Sequence, residues 1–366
     1  MRLDANAVIY GYLFICVALL VFNLFYIFRA KGRKKQQKVR AKEWQREIEA
    51  QLGLLARGSA VEETHRKRML RVLRSTNGLI SYSSALEAVQ RTQPVLLAQY
   101  LRESYAVLQE LAVVYGRKQS MERAYFADVI ARFRPCSGEE FRPLMEILLS
   151  YLADSTVYCR ENVLHALCAL GNGQAVETAL QILNDNEWFH HQKLLSDGLT
   201  AFSGDREALA ARLWRHAKDW NAYLMLSVVQ FITNCSDSYR ETFLPVLCAP
   251  ETDPELRLAL MRYYRRHPYG PARPVLLEYL RGAPGQDVNL AVVSAAVLDR
   301  YPGIDTVEAL KQALGHPNWY VRYNAAASLV HLEVDIRALR EVLQGGDRYA
   351  KEILQYMLEE KEMGRA

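Results

Sequence analysis

The chain has 366 residues, of which 50% are hydrophobic and 24% charged, and this composition excludes a disordered protein. The formal net charge is +5, but eight cations and no acid lie between residues 29 and 42. The remainder is close to neutral, which argues against a general polyanion binder. Strand-like alternation is scarce, so the chain is predicted to be all-α.

The first predicted element is a transmembrane helix at residues 5–28. This segment contains no charged residue, and about 20 apolar residues suffice to cross the hydrocarbon core of a bilayer. Tyr10, Tyr12 and Tyr26 lie near its ends, where aromatic residues favour the membrane interface. A cleaved signal peptide is the main alternative, but it would carry its cations before the apolar run. Because the cations follow the run here, we expect an uncleaved, single-pass anchor.

A basic collar at residues 29–42 follows the anchor. Its cations are Arg29, Lys31, Arg33, Lys34, Lys35, Lys38, Arg40 and Lys42. The positive-inside rule then places the N-terminus outside the cell membrane and everything after residue 29 in the cytoplasm. Either the collar only fixes this topology, or it also binds anionic lipid headgroups, at about 1 kcal/mol per cation near the surface.

Residues 43–118 are predicted to be helical but do not follow the repeat described next. Trp44, Ile48, Leu52 and Leu55 form one apolar stripe that would extend the anchor helix, and residues 94–117 predict another helix. We expect this segment to cap the first apolar face of the array at residues 119–361. Residues 362–366 form a short tail.

Residues 119–361 contain a repeat of about 33 residues. Eight amphipathic helices share one frame, whose reference positions are Arg123, Arg160, Gln192, Leu224, Arg257, Leu290, Arg322 and Lys351. The positions three and seven residues after each reference are apolar except for Ser227, so they lie on one stripe of a helix. Another amphipathic stretch precedes most of these helices. Each unit is therefore a predicted helical hairpin, and neighbouring hairpins must stack to bury their stripes.

The repeat resembles the HEAT-repeat family, particularly its short bacterial-type units. Residues 316–322 (HPNWYVR), followed by Ala325, Ala326 and Leu329, match the opening of the family's second helix. Residues 154–160 and 253–257 match it in part, whereas the units near 192, 224 and 290 lack the arginine. The resemblance implies a right-handed α-solenoid of about seven to eight hairpins and a bacterial host. It also implies that Arg160, Arg257 and Arg322 bond Asp or Asn side chains in the adjoining turns.

No catalytic or cofactor-binding pattern is recognisable. HEAT-type hydroxylases bind iron through paired His-Glu motifs, and this chain has no His-Glu dipeptide. The histidines at 190–191 are expected at a solvated helix start, and His165, Cys159 and Cys168 are expected to pack without holding a metal. A phosphate-binding loop, GxSxG and HExxH are all absent from the sequence. We predict a protein that is not an enzyme and has no cofactor, with a HEAT-like enzyme or a metal- or chromophore-binding regulator as the alternative.

An interaction surface is predicted where arginines and tyrosines interleave, because both are frequent interface anchors. Its residues are Arg262, Tyr263, Arg265, Arg266 and Tyr269, with Tyr320 and Tyr323 as further candidates. An ordinary solvated helix face is the competing interpretation. The fold also resembles HEAT-like DNA glycosylases, and this resemblance implies that the arginines of the patch bind phosphates. Nucleic-acid binding is therefore a third functional class. The membrane anchor and the nearly neutral repeats argue against it, and no nucleic acid is expected.

These features together predict a membrane-anchored cytoplasmic scaffold or adaptor that binds other proteins. We expect the partner to be an integral membrane enzyme, for instance an envelope-polysaccharide glycosyltransferase.

Overall fold

A computed structural model of the chain describes residues 5–134, 141–283 and 285–364, with the backbone alone at residues 5–12, 27–30 and 33. Within these ranges the regular elements are helices, and no strand is present. The chain divides into two compact units, Met1–Val176 and Glu177–Ala366.

The first unit is built on a long N-terminal helix. Its helices are α1 (Ala5–Leu55), α2 (Glu63–Leu73), α3 (Thr76–Thr92), α4 (Pro94–Glu103), α5 (Tyr105–Gly116), α6 (Ser120–Phe133), α7 (Arg142–Ser150) and α8 (Val157–Leu170), and α9 (Gly173–Asp185) begins here. The C-terminal part of α1 packs against α3 and α4. Its apolar stripe, Trp44, Ile48, Leu52 and Leu55, is buried there, so this part of α1 belongs to the core of the unit.

A buried polar cluster lies beside that stripe. Nε2 of His65 is 2.8 Å from the hydroxyl oxygen of Tyr100, to which the Tyr82 hydroxyl donates a hydrogen bond of 3.2 Å. The ring of Trp44 meets His65 and Tyr82 edge-on at 5.9 and 5.3 Å. Burial and the positive charge of Arg68 lower the pKa of His65 to about 4. The imidazole is therefore neutral at pH 7.

The part of α1 from Leu13 to Tyr26 is apolar and exposed. The side chains described between residues 13 and 26 all lie in solvent-accessible positions. Among the residues that the structure describes, no helix offers an apolar stretch sufficient to cross a membrane. Of the span predicted at residues 5–28, the side chains of residues 5–12, 27 and 28 lie outside the described residues.

The second unit consists of stacked helical hairpins. After α9 its helices are α10 (Gln192–Thr200), α11 (Arg206–Trp214), α12 (Ala222–Cys235), α13 (Arg240–Cys248), α14 (Pro254–Arg266), α15 (Arg273–Arg281), α16 (Val288–Val297), α17 (Ile304–Ala313), α18 (Trp319–His331), α19 (Ile336–Gln344) and α20 (Arg348–Glu362). From α11 onward, consecutive helices pair as α11–α12, α13–α14, α15–α16, α17–α18 and α19–α20, and α10, α12, α14, α16, α18 and α20 form one continuous row. The hairpin packing predicted from the repeat is thus confirmed.

Short polar residues set where these helices begin. The caps whose side chains accept a hydrogen bond from a first-turn amide are Asp205, Asn221, Asp253, Asp287, Asn318, Asp335 and Asp347. Such caps satisfy amides that have no partner within the helix. They mark the helix starts directly in the sequence.

The second helices of successive hairpins run parallel. Near the starts of α18 and α16, the amide of Asn324 donates to the carbonyl of Val292 (2.8 Å). Near the ends of α14 and α12, Arg266 donates to the side-chain oxygen of Asn234 (3.1 Å). All second helices of this unit therefore begin at one edge of the stack, the second-helix edge, and the first helices begin at the other.

The two predicted apolar columns form the core of the hairpins. Their members are buried except Val293 and Leu358, which are half-buried. Ser227, the polar exception, is fully buried, and its hydroxyl donates to the carbonyl of Tyr223 (2.8 Å). The bond satisfies the hydroxyl within its own helix, so the column tolerates it.

Two of the arginines at the reference positions, Arg257 and Arg322, close the connection before their own helix. Arg257 donates to the carbonyls of Ala249 (2.7 Å) and Pro250 (3.2 Å), and Arg322 donates to that of His316 (2.8 Å). The expected Asp or Asn side-chain acceptors are wrong for these two arginines. Carbonyls at helix ends lack intrahelical partners and attract cations, so they compete successfully for the guanidinium.

Candidate functional site

Tyr263, which was predicted to lie on the interaction surface, is in the core. It is fully buried, and its hydroxyl oxygen accepts a hydrogen bond of 3.1 Å from the backbone amide of Tyr239. Its ring packs edge-on against Phe243, with ring centroids 4.7 Å apart. A buried tyrosine is stable when its hydroxyl finds such a partner. Tyr263 therefore contributes to packing and does not belong to the candidate surface.

The arginines of the same patch mainly join neighbouring helices. Arg265 forms an ion pair of 2.7 Å with Asp299, in the 3-10 turn after α16, while Arg266 reaches Asn234 on α12. Tyr269 is half-buried, and its amide donates to the hydroxyl of Tyr301 (3.2 Å). Arg262 is exposed. Most polar groups of the patch that form bonds therefore bond to a neighbouring hairpin.

Tyr320 and Tyr323 are part of a larger aromatic cluster at the second-helix edge. Trp319 and Tyr320 are 50% and 62% exposed at the start of α18, where Asn318 caps the helix. The Trp319 ring lies 5.1 Å from Tyr320 and 5.0 Å from Tyr323, centroid to centroid. Tyr349 is also exposed, at the start of α20. We call Trp319, Tyr320, Tyr323 and Tyr349 the aromatic cluster.

A cation–π contact and a hydrogen bond of Arg322 hold the cluster in place. The guanidinium carbon of Arg322 is 5.5 Å from the centre of the Tyr349 ring, within the range of a cation–π contact. The same guanidinium is fixed by its bond to the carbonyl of His316. The aromatic cluster is therefore ordered by α18 and α20 and still faces solvent.

Part of this cluster has a signal in the repeat frame. The residue two positions before the reference is a large exposed apolar side chain in several repeats. In the first unit these residues are Met121 and Tyr158, and in the second they are Val288, Tyr320 and Tyr349. Within the second unit, Val288, Tyr320 and Tyr349 occupy the same position on three successive second helices. They therefore form a row, unlike single exposed apolar residues, which are common on protein surfaces.

A cleft at the second-helix edge was not predicted. It has a volume of about 750 Å³ and lies between the α11–α12 connection and the α13–α14 connection. The side chains that form its apolar floor and walls are Trp214, Trp220, Met225, Leu226, Pro245, Val246 and Leu256. Arg215, Lys218 and Asp219 line one lip, and Glu251 and Asp253 line the other.

The first lip of the cleft is braced from α9. Asn184 accepts from the amide of Asn221 (2.8 Å) and donates to the carbonyl of Asp219 (3.1 Å). Glu177, which is buried, binds Arg212 (2.7 Å) and lies 2.8 Å from Nε2 of His216. These bonds hold the α11–α12 connection in one conformation.

The histidines and cysteines that were expected not to bind a metal differ in their burial. His190, expected at a solvated helix start, is buried, while His191 is exposed. Cys159 and Cys168 are buried in α8, whereas His165 on the same helix is exposed. Within residues 5–134, 141–283 and 285–364, no group of three or more His, Cys, Asp or Glu side chains is arranged to hold a metal ion.

The cations of the collar are exposed wherever their side chains are described. These residues are Lys31, Lys34, Lys35, Lys38, Arg40 and Lys42. The side chains of Arg29 and Arg33 lie outside the described residues. The described ammonium groups all lie on α1, which continues through the collar without a break.

Comparison with known proteins assigns no family. No family model matches the chain, and no curated protein matches it. Among solved structures it is similar to human deoxyhypusine hydroxylase in complex with glycerol, at 16% identity and a TM-score of 0.30, over 82% of this chain and 97% of that chain. A likeness of this size carries no argument about function.

Proposed function

We propose that the chain is a membrane-anchored scaffold whose HEAT-like hairpins, stacked as a right-handed solenoid, bind a protein partner in the cytoplasm. The aromatic cluster is the observation that carries this proposal. Trp319, Tyr320 and Tyr349 are exposed on two adjacent helices, with Tyr323 half-buried beside them. Tryptophan and tyrosine are enriched among interface hot spots. A partner that covers them removes large apolar rings from water while their polar tips remain available for hydrogen bonds.

The proposed anchor is the N-terminal part of α1. Residues 5–28 carry no charge, and the described side chains from Leu13 to Tyr26 are exposed, which favours an apolar environment around them. The cations that follow this segment support a cytoplasmic location of the hairpins by the positive-inside rule. Anionic headgroups are proposed ligands for the collar.

An integral membrane enzyme is the proposed partner. Anchoring confines the aromatic cluster to the neighbourhood of the membrane surface, which raises the effective concentration of any partner held in the same bilayer. An envelope-polysaccharide glycosyltransferase is one enzyme of this kind.

The test is co-purification of the full-length chain from gently solubilised, cross-linked membranes. We expect W319A/Y320A to reduce the recovered partner at least about tenfold, as loss of a hot spot does. Ile304→Ala is the matched control, because Ile304 is 83% exposed but begins a first helix and so lies at the opposite edge. Recovery of the same partner at the parental level with W319A/Y320A would refute binding through the cluster.

The anchor has a separate readout in the same membranes. Removing residues 1–42 should release the chain into the soluble fraction, because the remaining hairpins carry no comparable apolar run. Retention in the membrane fraction after a carbonate wash would refute the anchor and leave the test of the aromatic cluster intact.

A further inference from the structure

We propose that the cleft between the α11–α12 and α13–α14 connections takes an amphipathic α-helix of a partner protein, with acidic residues along one flank and basic residues along the other. The inference rests on the proposed scaffold function. It assigns a second contact, made by residues outside the aromatic cluster.

The size and lining of the cleft fit a row of apolar side chains. Its volume of about 750 Å³ is within the range of specific binding sites. Trp220 and Met225 are buried in the floor, and Trp214, Leu226 and Leu256 are half-buried around them. Half-buried apolar walls gain most when an apolar partner displaces water from them.

The chemistry of the floor favours a helix over an extended peptide. An extended segment must pair its amides and carbonyls with the protein, or leave them unsatisfied in an apolar site. The indole nitrogen of Trp220 already donates to the carbonyl of Leu213 (2.9 Å), so this donor is not available. A helix satisfies its own backbone and presents only side chains, as in other helix-in-groove complexes.

The charges on the two lips define the flanks of that helix. Arg215 and Lys218 stand on one lip, where Asp219 is 3.4 Å from Nδ1 of His216. Glu251 and Asp253 stand on the other. A helix lying between the lips meets cations on one side and carboxylates on the other, so its complement is acidic on the first flank and basic on the second.

Both lips are formed before a ligand arrives. The first is braced from α9, and the second is closed by the hydroxyl of Thr252, which donates to the carbonyl of Val246 (2.5 Å). Arg257 bonds the carbonyls of Ala249 and Pro250 in the same connection. Pro245 lacks an amide and presents its exposed ring at the cleft wall. A pre-organised site loses little conformational freedom on binding.

The probes are three synthetic 16-residue amphipathic helices with the same leucine face. One carries Glu along one flank and Lys along the other, the second Lys on both flanks, and the third Glu on both. A fourth peptide repeats the mixed sequence with two central prolines. Binding to the full-length chain in detergent is measured by fluorescence anisotropy of the labelled peptides, at low ionic strength.

We expect the mixed peptide to bind at least tenfold more tightly than either single-sign peptide, and the proline peptide to bind at least tenfold more weakly than the mixed one. The R215E/K218E variant, which makes both lips acidic, should then prefer the all-Lys peptide. A collapsed cleft would not produce this reversal. Arg281→Glu, at the exposed end of α15, is the control and should keep the parental order.

Absence of binding, equal affinities, strong binding of the proline peptide or an unchanged order in R215E/K218E would each overturn the inference. The W319A/Y320A variant separates it from the proposed function. That variant should keep the peptide preferences while losing the co-purified partner. Loss of partner in W319A/Y320A without any peptide preference in the parent chain would leave the scaffold proposal standing and remove only the cleft.

Discussion

At the residue scale, an arginine at the start of a second helix donates hydrogen bonds to carbonyls at the end of the preceding helix. Arg257 reaches back to the carbonyls of Ala249 and Pro250, which follow the end of α13. Its guanidinium also lies 6.0 Å from the centre of the Tyr279 ring. One cation therefore satisfies acceptors that no helix amide can reach.

Replacing Arg257 with Met keeps the apolar stem and removes the donors. We expect the free energy of unfolding to fall by about 1–3 kcal/mol, the cost of losing hydrogen bonds from a charged group. Urea denaturation of the parent chain, Arg257→Met and the exposed control Arg281→Met measures it. The control should stay within about 0.5 kcal/mol of the parent. Equal losses in the two variants would show that the carbonyl bonds contribute nothing to stability.

Residue types limited what the sequence revealed about binding. The apolar columns follow from helical period, and the structure buries nearly all of them. The arginine–tyrosine patch follows only from composition, which does not separate exposed Tyr320 from buried Tyr263. A tyrosine is stable in the core when a backbone amide donates to its hydroxyl, and it is also stable on the surface, where water does so. The residue type alone therefore does not predict burial. The cleft combines residues from two connections, and periodicity reports only on helix faces.

At the element scale, α1 has two parts with opposite surroundings. Val39, in the collar, is 50% exposed, whereas Leu52 is fully buried. Both are aliphatic residues of one continuous helix, Ala5–Leu55. The difference in exposure between Val39 and Leu52 shows that the C-terminal part of α1 belongs to the core of the first unit, whereas the collar does not.

Leu52→Ala should lower the free energy of unfolding by about 2–5 kcal/mol, because it deletes buried methyl groups and leaves a cavity. Val39→Ala should change it by less than about 0.5 kcal/mol. Thermal and urea unfolding of the full chain in detergent compare the two variants. Similar, small effects at both positions would mean that α1 is not part of the core of the first unit.

The positions of the helices were largely predictable from the sequence, but the buried face of α16 was not. Apolar spacing predicted the second helices and the preceding helices of most repeats. In α16, however, Ser294 is fully buried and the predicted Val293 only half-buried. Residues 290–297 (LAVVSAAV) are almost all apolar, so their pattern does not indicate which face packs inward.

At the scale of the whole molecule, the two units were not visible in the sequence. The 33-residue frame runs from Arg123 to Lys351 without a gap, yet the compact units divide between Val176 and Glu177, within α9. Repeat arrays are held by contacts between neighbours. A regular repeat in the sequence therefore does not show where one compact unit ends and the next begins.

The first unit should be sensitive to mild acid because of His65. Its pKa is about 6.5 in the unfolded chain and about 4 when folded. Between these values the unfolded state binds a proton that the folded state does not, so the free energy of unfolding should decrease as the pH falls from 6.5 to 4. Urea unfolding at pH 7, 6 and 5 measures this slope. His65→Asn should flatten it, and identical slopes in the parent and the variant would contradict the assignment.

The unbroken course of α1 makes it a spacer of fixed length. At 1.5 Å per residue, Tyr26 and Trp44 are separated by about 27 Å along the helix axis. If the apolar part of α1 is embedded in a bilayer, the first unit stands off the membrane surface at a set height and in a set rotational orientation, instead of hanging on a loose tether. An inserted residue would turn the unit by about 100° about that axis. The α1 helix would thus act as a stiff lever arm between the bilayer and the first unit.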